Sequence, residues 1–196
     1  MPDDALGRPY GVPTRREPVV PNGVLGMLIF VGTEVMFFSG LISAFVIGKS
    51  NALGGWPPPG QPRLPVEETA INTAALLASG LALYFANRAF RKDSPNTKRL
   101  LGLAIALGGF FVLFQGAEWV ALIGEGLTVT SGQLGGYFYL LVGTHALHVV
   151  AGFIILLYTY QKLSHHNLDR FTFWPAQIFW YFVVGVWPIL YWQVYL

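Results

Sequence analysis

Residues 30–40 read "FVGTEVMFFSG", and ten of the eleven are uncharged. The exception is Glu34. The stretch lies within an apolar run covering residues 23–47, long enough for the roughly 20 residues a membrane-spanning helix needs. A carboxylate at the bilayer centre costs about 2.5–3.5 kcal/mol on insertion scales. The fold and the function both turn on why it is there.

Four further apolar runs follow, at 69–90, 100–123, 134–160 and 171–196. None alternates with the period of two that a membrane β-barrel strand requires. In lipid an open segment must satisfy its own backbone groups, so each run reads as a helix. The expected fold is all-α, a polytopic membrane protein with a bundle of five transmembrane helices. A polar tail over 1–22 precedes the membrane domain, 23–196. Composition agrees: 54% of residues are hydrophobic and 11% charged, against roughly 25% charged in soluble domains. The polar start has no early apolar run and no small-residue cleavage site, so the first span is expected to direct insertion itself.

The cations fix a direction. Arg8, Arg15, Arg16, Arg88, Arg91, Lys92, Lys98, Arg99, Lys162 and Arg170 fall on one side of a five-span chain, and Lys49 and Arg63 on the other. That ten-to-two asymmetry puts the N-terminus in the cytoplasm and the C-terminus outside. Trp187, Tyr191, Trp192 and Tyr195 are expected to anchor the last helix at the interface. In the second span Ala74, Ala78, Ala82 and Ala86 form a stripe for close helix approach, and Gly102, Gly109 and Gly116 form a similar seam in the third. The prolines of "GGWPPPGQPRLP" (54–65) call for an extended crossing, with Trp56 packing on lipid or on a partner. Pro65 followed by Glu67 and Glu68 marks the start of the second helix.

Few ionisable residues lie inside the spans: Glu34, Glu118, His145 and His148. Such residues face a bundle interior or a cavity, and pair. Glu34 is roughly 17 Å from the inner end of span one and His148 roughly 21 Å from the outer end of span four, so they share a level. Glu118 lies near the outer end of span three, level with Asn72 and Thr73. We therefore expect Glu34 to be protonated or bonded to His148, and Glu118 to tie structurally to Asn72 and Thr73. His145 and His148 share one helix face, and the bland expectation is that both are hydrogen-bonded in the core. The spans hold neither the Glu-x-x-His set of a di-iron bundle nor histidines on facing helices for haem, so no metal site is expected. With no cysteine, thiolate centres are excluded. No phosphate loop, nucleophile elbow or nucleic-acid stripe is present.

The segments "TEVMFFSGLISAF" (33–45), "GWPPPG" (55–60), "NTAALLASG" (72–80), "FQGAEW" (114–119) and "GTHALHVVAGF" (143–153) occur in the order found in subunit III of haem–copper oxidases. The chain resembles that family from about Gly26 to Tyr195. The resemblance implies an accessory subunit of a respiratory cytochrome c oxidase with no redox centre of its own, stabilising the catalytic subunit and supporting proton uptake. Haem and copper would lie in the partner, catalytic subunit I. Other oxidase subunits and membrane phospholipids are implied as further partners, and a bacterial-type plasma membrane as the location. The family's usual long form has seven helices with a lipid-filled cleft after the second, and this chain resembles a five-helix form. The family implies that Glu34 is the carbodiimide-reactive carboxylate, that His145 and His148 are its paired histidines, that Glu118 is its third-helix acid, and that Trp56 lies where phospholipid binds. The last helix departs from the pattern in "WPAQIFWYFVVGVW": Trp174, Tyr181 and Val184 stand where the family commonly has an acid, a His and an Asp. That leaves a quinol oxidase subunit, or an accessory protein of nitric oxide reductases, as alternatives. An independent proton transporter using Glu34 is a third, against which stands the lack of inverted repeats.

Overall fold

In the computed structural model residues 21–52 and 64–196 are described, and they form five helices: α1 (Asn22–Ser50), α2 (Val66–Phe90), α3 (Asn96–Gly124), α4 (Gln133–Ser164) and α5 (Arg170–Tyr195). All five are long and apolar enough to cross a membrane. At 25 to 32 residues, they measure roughly 37–48 Å. Pro65 precedes the first residue of α2, and Glu67 and Glu68 sit in its first turn.

Successive helices run in opposite directions. Gly48 near the end of α1 meets Tyr137 near the start of α4. At that same end the Tyr191 hydroxyl of α5 donates to the Val66 carbonyl of α2, at 3.0 Å. At the opposite end, which carries Arg88, Arg91, Lys92, Lys98, Lys162 and Arg170, Pro175 of α5 lies against Gly23 of α1. We call these the far end and the basic end.

α2, α3, α4 and α5 close a four-helix ring in which each touches its two neighbours. α1 stands outside the ring, in the groove between α4 and α5, and touches neither α2 nor α3. It is the least buried helix: Leu25, Ile29, Met36 and Ile47 all face outward. In lipid such a surface carries no hydrophobic penalty, so association rests on close packing and hydrogen bonds.

Two tryptophans of α5 fill the ring. The fully buried Trp180 lies between two glycines: a Cβ on Gly108 of α3 would stand 2.7 Å from its ring, and one on Gly152 of α4 3.0 Å. Its indole N–H donates to Ser79 Oγ of α2 at 3.0 Å, and Ser79 donates to the Ala104 carbonyl of α3 at 2.9 Å. One side chain thus joins four helices. Trp187, also fully buried, donates to Thr73 Oγ1 at 2.8 Å.

These positions correct three expectations. Trp187 and Tyr195 are not interfacial anchors but core residues, while Trp192 is exposed and Tyr191 half-buried. The alanine stripe does not form one seam: Ala74 is exposed, Ala78 half-buried, and only Ala82 and Ala86 are buried. A four-residue step advances about 400° in an α-helix, so each alanine rotates about 40° past the last. The stripe winds from the outside into the core, and the inward face of α2 is instead Thr69, Asn72, Thr73, Leu76, Ser79 and Leu83. In α3, Gly102 and Gly109 approach Tyr160 and Phe153 of α4, but Gly116 is exposed with nothing within 4 Å of its Cβ position.

Candidate functional site

The pairing expected from depth alone has a direct geometry. Glu34 Oε2 of α1 lies 3.1 Å from His148 Nε2 of α4. The other ring nitrogen, Nδ1, lies 2.8 Å from the Thr144 carbonyl one turn earlier in α4. Each side chain retains 17% exposure. This is the one ion-pair contact among the described residues. It also gives α1, which has little else polar facing the ring, a fixed rotation against α4.

The surroundings are aromatic. Phe38, one turn after Glu34 and nearly fully buried, sets its ring edge-on to His148 at 5.4 Å and to His145 at 6.2 Å. Phe179 and Phe182 of α5 face His148 at 6.3 and 6.2 Å. Phe30 of α1 packs against Phe179 at 5.9 Å. Phe37 points outward, and Leu41 is half-buried. Beside the pair an apolar groove of about 420 Å³ runs between α1 and α5, lined by Val35, Phe38, Tyr181, Phe182 and Gly185 among others.

His145 departs from the expectation of two hydrogen-bonded histidines. It is buried, and neither ring nitrogen has a hydrogen-bond partner among the described residues. Instead the ring stacks on Trp187, with centroids 5.2 Å apart and planes at 23°. At i, i+3 the two imidazoles diverge, one toward α1 and the other into the ring.

Glu118 needs a second correction. Its carboxylate meets neither Asn72 nor Thr73. Thr69 Oγ1 stands 3.1 Å from Oε2 and 3.3 Å from Oε1, and Gln115 Nε2 donates to Oε2 at 2.8 Å. Asn72 Nδ2 reaches Gln115 Oε1 and the Phe111 carbonyl, both at 3.3 Å, while Thr73 Oγ1 donates to the Thr69 carbonyl at 2.7 Å. Gln115 Nε2 also donates to the Tyr195 hydroxyl at 3.4 Å. Glu118 lies about one turn beyond Gln115 toward the far end, so it meets the first turn of α2, and Asn72 meets the turn below. Sequence reasoning weighed the ionisable residues and overlooked Thr69 and Gln115. The usable signal was a Gln three residues before the acid in an otherwise apolar span, where i, i+3 side chains are neighbours.

The described residues bring together no ligand set for haem or a metal. No group of three or more His, Asp or Glu gathers among the described residues. His148 is engaged at both nitrogens, and His145 is enclosed by Trp187 and Phe38. Trp56 and "GWPPPG" lie outside the described residues. Of the departures in the last helix, Val184 packs its Cγ1 3.1 Å from the Cβ position of Gly80, Tyr181 lines the α1–α5 groove, and Trp174 is half-buried. At the basic end Asp169 caps α5 by accepting from the Thr172 N–H at 2.8 Å, and Thr172 holds its carboxyl below the usual range.

Comparison with known proteins gives a consistent match. The family model "Cytochrome c oxidase subunit III" matches residues 13–196. Proteins named "Cytochrome c oxidase subunit 3" from Hippopotamus amphibius (36% identical over 190 residues), Tragelaphus oryx (35% over 189) and Aepyceros melampus (35% over 189) are similar to it. Each alignment covers 91% of this chain and 71% of the relative.

Proposed function

The chain belongs to the cytochrome c oxidase subunit III family, and from that premise we propose how its intramembrane polar groups serve the oxidase. It is an integral membrane protein and an accessory subunit of a haem–copper oxidase in aerobic electron transport, associated with other oxidase subunits. Its specific contact is with the catalytic subunit, which carries the haem and copper. Phospholipid fills the surfaces of α1 that no other helix of this chain covers. The membrane is a bacterial-type plasma membrane, with the basic end cytoplasmic and the far end outside.

Within that assembly the Glu34–His148 pair supports proton uptake by the catalytic subunit. The 3.1 Å contact carries this reading: an acid and an imidazole, both partly accessible, are coupled where the helix that stands outside the ring meets α4. The competing role is purely structural, with the pair fixing the rotation of α1 on α4. Glu118, Thr69, Gln115 and Asn72 hold the far ends of α2 and α3 together.

The test begins with an affinity tag on this chain. Mild detergent extraction should recover it with a haem-bearing catalytic chain, and the separated subunit should show no haem absorption. Isolation of the tagged chain alone, from membranes that contain active oxidase, would contradict the assignment to the complex.

A further inference from the structure

We propose that Tyr84, Arg88, Arg91 and Lys92 of α2 bind the headgroup of an anionic phospholipid at the basic end. Together with Asn87 they line an open pocket of about 410 Å³. Their spacing explains why they share it. Positions 84, 88, 91 and 92 stand at i, i+4, i+7 and i+8, which is one face of a helix. Arg91 keeps helical angles, φ −65° and ψ −16°, so the face continues past Phe90. The acid next in the chain, Asp93, takes a left-handed φ of 50° and lines a separate cavity with Ser94, Lys98 and His166. The other two lysines of this end lie over rings: Lys98 is 5.8 Å from the centroid of Tyr160, and Lys162 5.3 Å from that of Tyr158. Arg88, Arg91 and Lys92 meet no carboxylate among the described residues.

Three cations around one concave surface call for an anion, and the rest of the face selects which. Toward the membrane centre the same face of α2 continues through Leu81 and Leu77, which are 62% and 42% exposed. Leu77 lies roughly 16 Å deeper than Arg88. Tyr84, 52% exposed, stands between these leucines and the cations. An apolar strip, then a phenol, then guanidinium and ammonium groups matches the order of acyl chain, ester region and phosphate in a lipid. Tyrosine suits the headgroup level. An arginine fork can hold two phosphate oxygens, while a lysine acts as a point charge. A free phosphate would use the cations and leave the strip uncovered. The ammonium of a zwitterionic headgroup would be repelled by the same three cations, so a net negative lipid is favoured. Cations at a helix C-terminus also offset its dipole, but that role needs neither the pocket nor the strip. The site is remote from the Glu34–His148 contact, since α1 does not touch α2, and it stands or falls apart from the proton-uptake role.

The test uses the purified oxidase complex in phosphatidylcholine vesicles. These carry a trace of either phosphatidylglycerol or phosphatidylcholine with a photoreactive diazirine on the acyl chain, and labelled peptides are mapped by mass spectrometry. The phosphatidylglycerol probe should label residues 77–84 about tenfold more than the phosphatidylcholine probe does. Arg88→Gln combined with Arg91→Gln should abolish that preference. Lys98→Gln combined with Arg99→Gln removes the same charge from the same end and should leave it intact. If the first variant does not assemble, the wild-type complex decides alone, because excess unlabelled phosphatidylglycerol should suppress the labelling. Equal labelling by the two probes would overturn the proposal and leave the cations to the helix dipole. Suppression by inorganic phosphate alone would assign the pocket to a free anion and overturn it as well. A zero-length cross-link from Lys92 to a carboxylate of another oxidase chain would give the face to a protein partner, with the same consequence.

Discussion

Trp180 occupies the space that any side chain at position 108 would need: a Cβ on Gly108 would stand 2.7 Å from Cζ2 and 2.9 Å from Cη2 of the indole. The ring cannot retreat, because Gly152 flanks it on α4 and its N–H is tied to Ser79. Gly108→Ala should therefore destabilise the bundle by about 1–3 kcal/mol, the usual cost of overpacking a core. Gly102→Ala, whose Cβ would meet Tyr160 at an ordinary 3.6 Å, should be close to neutral. Thermal denaturation of the two variants in detergent distinguishes them.

Glu118→Leu should loosen the far ends of α2 and α3. The change leaves Gln115 Nε2 and Thr69 Oγ1 without the carboxylate they face. Thr69 Oγ1 keeps its bond to the Pro65 carbonyl and Gln115 Nε2 its 3.4 Å contact with Tyr195, so the loss is that of the hydrogen bonds to the carboxylate, about 0.5–1.5 kcal/mol each. Reduced yield of assembled complex and a lower melting temperature are expected. Normal values for both would show that the network contributes little.

Glu34→Ala should leave initial electron transfer intact, since the described residues gather no ligand set for a redox metal. Loss of activity with continued turnover, or a lower proton yield, should follow if the pair supports proton uptake. Hydrophobic carbodiimide should modify Glu34 ahead of Glu118. A variant that assembles and keeps wild-type turnover lifetime and proton yield would assign the pair to helix register alone.

A reporter enzyme fused after Leu196 should be active only when it is one that works outside the cytoplasm. The ten-to-two cation asymmetry sets this expectation. Activity of a cytoplasmic reporter at that junction would reverse the proposed orientation.

Asp169→Ala should fray the start of α5, at a cost of about 0.5–2 kcal/mol typical of a lost cap. The wild-type cap has a pH dependence of definite sign. Thr172 lowers the Asp169 carboxyl below its ordinary 3.8. The contribution is therefore present above that value and is lost as pH falls through the depressed one. Hydrogen exchange at the Thr172 and Phe173 amides, measured on both sides of that range, should report the change.

Depth and direction were legible in the sequence, because both follow from the bilayer. Lipid demands about 20 apolar residues per crossing, so the five runs at 23–47 through 171–196 marked five helices that the structure extends by a few residues at most ends. Counting residues from the ends of those runs set Glu34 and His148 at one level, and the structure places them 3.1 Å apart. Rotation was not legible. In water a helix declares its buried side by polarity, but here the lipid-facing and core-facing sides are both apolar. Nothing in the text of α5 separates the buried Trp187 from the exposed Trp192. Nor does it turn His145 onto an indole while His148 meets an acid. The choice of Thr69 over Thr73 as the partner of Glu118 depends on an offset of about one helical turn between α2 and α3. That phase was decided only when Gly108, Gly152 and Ser79 closed around Trp180, because packing and hydrogen bonds are what remain to orient helices once the solvent is lipid.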